Sequence, residues 1–133
     1  MKTRAAALAI AALAGPAFAE NWYPYFMVPS GVAYVDKDSI IFRDGHVTAR
    51  TESTFPKPQS LQRDGKIFVF TKAKDLVDID CVANVYRYVG RDLYNDSGIQ
   101  QLSINASDDP MRIGDNTPED VLAKALCPGA KRR

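Results

Sequence analysis

A chain of 133 residues can build one domain around one modest core and is too short for two. Its composition, 46% hydrophobic and 25% charged, is that of a globular protein and excludes a disordered one. A formal net charge of +1 excludes the basic excess with which nucleic-acid-binding domains hold phosphates.

The first nineteen residues read as a secretory signal rather than as part of the fold. Lys2 and Arg4 give a positive start, and an alanine-rich apolar stretch follows to Ala14. Gly15 and Pro16 break it, and Ala17-Phe18-Ala19 is a small-x-small cleavage site before Glu20. The stretch is shorter than the roughly 20 residues needed to span a bilayer. Cleavage leaves residues 20–133 as the mature domain and removes two positive charges, so the net charge turns slightly negative. No cysteine follows the cleavage site to take a lipid, so no stable membrane anchor is expected and the product belongs in the periplasm or outside the cell.

The mature chain predicts strands first and one helix last. Trp22 to Val28 is a first strand interrupted by Pro24, and Val32 to Val35 a second. Ser39 to Phe42 leads through Asp44-Gly45 into Val47 to Phe55, a hairpin signal. Pro56 to Ser60 predicts a loop, after which Ile67 to Phe70 resumes as strand. Leu76 to Val89 alternates along its whole length. Val77, Ile79, Cys81, Ala83 and Val85 are assigned inward, and Asp78, Asp80, Asn84, Tyr86 and Tyr88 outward. Asn95 to Gly98 is a turn and Ile99 to Ile104 a strand. Thr117 is an N-cap, Pro118 suits the first helical position, and Val121, Leu122, Ala125 and Leu126 form an apolar stripe. Pro128 should end the helix near Leu126, leaving Cys127 to swing toward the sheet. The fold expected is α+β: an antiparallel sheet of about six strands with a C-terminal helix on one face.

Cys81 and Cys127 are the two cysteines, and an even count in an exported chain favours a disulfide. A bridge between chains or a thin metal site are the alternatives. Metal is disfavoured, because His46 is the lone histidine and no CxxC or HxxxH pair occurs.

No catalytic pattern emerges. His46 falls in the predicted hairpin turn, without a nucleophile or a second histidine beside it. There is no G-x-S-x-G, P-loop or dinucleotide fingerprint, and hence no cofactor motif. Asp36 and Asp38 fail the EF-hand spacing, and Asp78 and Asp80 fit a solvated strand face. Asn105-Ala106-Ser107 matches the glycosylation pattern by chance, and Lys131-Arg132-Arg133 reads as a loose basic tail. The binding candidates are aromatic: Trp22 and Tyr25 near the start, and Tyr86 and Tyr88 on the cysteine strand.

Several pieces in order resemble one known family, the surface-adhesin E domain of exported Gram-negative proteins. Trp22 follows the signal, and Tyr34-Val35-Asp36-Lys37-Asp38-Ser39-Ile40 is similar to the family's Tyr-Ile/Val-Asp-x-x-Ser-Ile. Then come the Gly45 hairpin, the strand Lys74 to Ile79 ending in Asp80-Cys81, and Thr117-Pro118-Glu119 through Cys127. The resemblance implies a strongly bent antiparallel sheet whose C-terminal helix is held by a disulfide. It also implies a non-enzymatic module binding a protein partner of the host extracellular matrix or of serum, and able to pair as a homodimer; an envelope protein is the other partner class expected of an exported chain. An inhibitor of an envelope-acting lysozyme or protease is the alternative for a small disulfide-stapled exported domain.

Overall fold

Two Asp-Gly turns organise the centre of the molecule. In the computed structural model, which describes residues 20–105 and 109–129, Asp44 and Gly45 take φ of 50° and 79°, and Asp64 and Gly65 take 52° and 76°. Consecutive positive φ values match the twist of a two-residue hairpin loop. The secretory signal, the basic tail and most of the glycosylation pattern lie outside the described residues.

The strands are β1 (Trp22–Val28), β2 (Gly31–Asp36), β3 (Ile41–Arg43), β4 (His46–Arg63), β5 (Lys66–Asp80), β6 (Val85–Tyr94), β7 (Gln100–Ile104) and β8 (Met111–Arg112). A 3-10 turn covers Lys37–Ser39, and α1 is Pro118–Leu126. All eight strands join one antiparallel sheet in the order β1-β2-β4-β5-β6-β7, with β3 on β4 and β8 on β6. A sheet of about six strands was expected; among the described residues there are eight, of which β3 and β8 are short strips along edges already in use. The sheet is open, with β1 and β7 at its ends.

Three expectations are corrected. The stretch Pro56 to Ser60 is not a loop but lies within β4, which pairs with β5 through a second hairpin at Asp64-Gly65. The ladder slips between Thr54 and Gln59, which places the two prolines, lacking N–H donors, in the irregularity. Second, Leu76 to Val89 is two strands. β5 stops at Asp80, residues 81–84 turn, and Asp80 faces Val85 across the next pair. Ile79 therefore sits opposite Tyr86 and Val77 opposite Tyr88, so both tyrosines share the inward face of β5 instead of the outward one. Third, Cys81 begins the turn after β5 instead of sitting within a strand, and its backbone N–H bonds to the Gly45 carbonyl.

The helix forms where expected. Thr117 accepts from the Asp120 N–H at 3.2 Å, Asp120 accepts from the Asn116 N–H at 2.9 Å, and Pro118 opens the first turn. Its buried stripe is rotated from the expected one: Leu122, Ala123 and Cys127 are buried and Leu126 partly so, whereas Ala125 is exposed. Continued back by one turn, that stripe begins at Glu119. Cys127 leaves the helix in extended conformation and is bonded to Cys81, with Cα atoms 5.7 Å apart.

The inner face carries two apolar clusters. Val35, Val47, Ala49, Val77 and Ile79 pack with Ile113, Leu122, Ala123 and Cys127. Phe70, Ala73 and Leu93 pack with Phe55, Leu61 and Leu102. Between them runs one cross-strand row of different character: Thr51 faces Asp75, and Asp75 faces Arg91.

Candidate functional site

A cleft of about 350 Å³ opens between the start of α1 and the inner face of the sheet. Tyr25, Phe26, Val32, Phe55, Val77 and Leu122 supply apolar wall, and Thr51, Asp75, Arg91 and Glu119 the polar groups. A concave site, mainly apolar with a few fixed polar groups, is the usual form of a binding pocket.

Each polar group is held by local geometry. Thr51 and Asp75 occupy inward positions of β4 and β5 and are nearly fully buried. Arg91 reaches the same face because of an irregularity in β6: Leu76 pairs with Gly90, but Val77 pairs with Tyr88. The extra residue reverses the alternation, so Tyr88 and Arg91 point the same way. The Arg91 Nε donates to Asp75 Oδ1 at 2.9 Å and Nη2 to Oδ2 at 3.4 Å, while the guanidinium lies over the Tyr88 ring, 4.2 Å from its centroid. The Tyr88 hydroxyl donates to Glu119 Oε2 at 2.8 Å. Tyr25, at the register shift of β1, has a side-chain hydrogen bond with Thr51.

Burial sets the electrostatics. It pushes the Asp75 carboxyl up to about 6, outweighing the opposing pull of the Arg91 charge. It also pushes both Tyr25 and Tyr88 upward, with the Glu119 and Asp75 charges acting in the same direction. Both phenols therefore remain hydrogen-bond donors at neutral pH. Removing one such donor has a measurable cost. Tyr88→Phe is expected to destabilise the fold by about 1–2 kcal/mol through loss of the bond to a charged acceptor, read as a lower urea midpoint at unchanged m-value.

The four aromatic candidates separate. Tyr25 and Tyr88 meet in the cleft. Tyr86 packs against the main core and edge-on to Tyr88, with centroids 5.7 Å apart. Trp22 lies at a separate hollow with Arg50, Lys74 and Asp92, its Nε1 donating to Glu20 at 2.9 Å. Asp75, Arg91 and Glu119 were missed by the sequence reading. One signal was present: Asp75 stands at an inward position between Ala73 and Val77, where a carboxylate is out of place.

A second polar group surrounds His46, which begins β4 rather than lying in the turn. Its Nδ1 is 2.9 Å from Asp78 and its Nε2 3.6 Å from Asp80, and Arg87 closes on Asp78 at 3.4 Å. The hydrogen bond to Asp78 raises the His46 pKa. Asp78 is thus a nearly buried anchor, not part of a solvated face. Among the described residues, no group of three or more His, Cys, Asp or Glu is placed to hold a metal ion.

No match to the chain is found among curated proteins or among solved structures. The family model described as surface-adhesin protein E matches residues 22–128, which spans every strand, the helix and both cysteines. The chain belongs to the surface-adhesin protein E family.

Proposed function

We propose that this protein is an exported, non-catalytic binding module that takes a segment of a protein partner into the cleft between α1 and the sheet. The observation that carries this reading is the cleft itself: aromatic and aliphatic walls around polar groups already fixed by Asp75–Arg91 and Tyr88–Glu119. Preorganised donors and acceptors lower the ordering cost of binding. Family membership supports a surface-adhesin type of partner, with the host extracellular matrix as the first class to test. Residues 1–19 act as the signal and Glu20 is the mature N-terminus, which intact mass of the exported product would read directly. Among the described residues no helix is long and apolar enough to cross a membrane.

Ser53 lines the cleft on a half-buried position of β4, so a larger side chain there fills the cleft without entering the main core. Ser53→Phe is expected to weaken binding to immobilised, solubilised basement-membrane matrix at least about tenfold, a change worth roughly 1.4 kcal/mol, with the thermal midpoint little altered. Undiminished binding by a folded Ser53→Phe protein would remove the cleft from the interface. No matrix binding by the native protein would remove the matrix as partner.

A further inference from the structure

We infer that the cleft selects a lysine side chain of the partner, seating its ammonium at Glu119 and its aliphatic stem along Tyr25 and Leu122. The inference rests on the cleft being the docking site and adds the chemistry of what enters it.

Among the described residues, three charged side chains line the cleft: Asp75, Arg91 and Glu119. Asp75 and Arg91 are spent on each other through two hydrogen bonds, and the guanidinium is further stacked on Tyr88. An anionic ligand would have to compete with Asp75 for those donors. Glu119 differs. It accepts one hydrogen bond, from the neutral Tyr88 hydroxyl, and takes part in none of the ion pairs among the described residues. The unbalanced charge on the lining is therefore negative. Its field reaches across the cleft, since Glu119 acts on Tyr25, Tyr88 and Asp75 alike. Low-dielectric walls strengthen attraction for a cation there, and tyrosine and phenylalanine faces add to it.

The carboxylate geometry favours ammonium over guanidinium. A fork-like guanidinium pairs best with both oxygens of a carboxylate, but Oε2 already faces the Tyr88 hydroxyl. An ammonium is a point donor that needs one oxygen. A lysine also brings a four-carbon stem that can lie on apolar wall while its head stays polar.

The test uses the mature protein and n-butylammonium as a probe of the lysine head and stem, with 1-butanol as its neutral counterpart, each titrated by two-dimensional NMR. Butylammonium should give saturable shifts at the backbone amides of Tyr25, Tyr88 and Leu122. Its affinity should fall at least about tenfold in Glu119→Gln, while the weaker response to 1-butanol stays unchanged and reports an intact cleft. Equal affinity for both probes, or an unchanged affinity for butylammonium in Glu119→Gln, would overturn the assignment. A parallel arm measures binding to matrix protein before and after acetylation of its lysines, which should abolish binding. If acetylation has no effect but Ser53→Phe still blocks binding, the lysine assignment fails and the cleft stands. If Ser53→Phe binds normally, the docking reading itself fails.

Discussion

Replacing both Cys81 and Cys127 by serine will release α1 before it loosens the sheet. The bridge links residues 46 apart in sequence, and opening a loop of that size costs about 4 kcal/mol in the chain-entropy model. That is a large share of the net stability of a small domain. The loss will be uneven for a structural reason. β4 and β5 are held by a long backbone ladder on which the bridge has no bearing. Helix α1 has nine residues, too few to be stable alone, and depends on Leu122, Ala123 and Cys127 seating in the main core. Amide exchange should show protection of residues 121–126 falling at least about tenfold more than that of Val47 to Thr51 and Leu76 to Ile79. Equal losses in helix and sheet would refute this order. Because Pro118, Glu119 and Leu122 form one wall of the cleft, the same variant should also bind its partner more weakly than the native protein does.

Arg91→Met will be destabilising, and increasingly so as pH rises. Removing one partner of a buried pair leaves the other charge uncompensated, and Asp75 answers by holding its proton to higher pH, which limits the cost. Asp75 is nearly fully buried, and in the native protein its carboxyl stands at about 6 against 3.8 in the absence of the fold. A folded pKa above the unfolded one contributes stability that is complete below about pH 4 and is lost as pH rises through about 6, by roughly 3 kcal/mol in all. The Arg91 charge lowers the Asp75 value, so without it the carboxyl moves higher still and the loss continues to higher pH. Urea unfolding of native and Arg91→Met proteins at pH 4.5 and 7.5 should therefore show a gap that widens with pH, by up to about 2 kcal/mol at pH 7.5, the most that a carboxyl moved upward from about 6 can add there. A gap independent of pH would show that Asp75 does not carry the charge in question.

The aromatic candidates show where linear reading stops. Alternation along Leu76 to Val89 was real on both sides of the break, but a four-residue turn between Asp80 and Val85 changed which parity points inward. No local pattern marked the turn, because Cys81, Ala83 and Val85 continued the apolar beat. The prolines after Phe55 misled in the opposite way: they announced a loop, and a slip in the ladder accommodated them inside β4.

Much of this protein was determined by its sequence alone. The Asp44-Gly45 hairpin, the Thr117-Pro118 helix start, the helix end before Pro128 and the pairing of Cys81 with Cys127 all depend on residues close in the chain or on a choice with one intramolecular solution. Family membership was legible for the same reason, since ordered local motifs carried it. The cleft was decided by tertiary structure. Thr51, Asp75, Arg91 and Glu119 come from three strands and a helix, and each is unremarkable where it stands in the chain. They meet because antiparallel register sets Thr51, Asp75 and Arg91 in one row, because one extra residue in β6 turns Arg91 and Tyr88 to the same face, and because the disulfide-held helix lays Glu119 over them. Register and helix placement are properties of the whole packed domain, and no window of the sequence contains them.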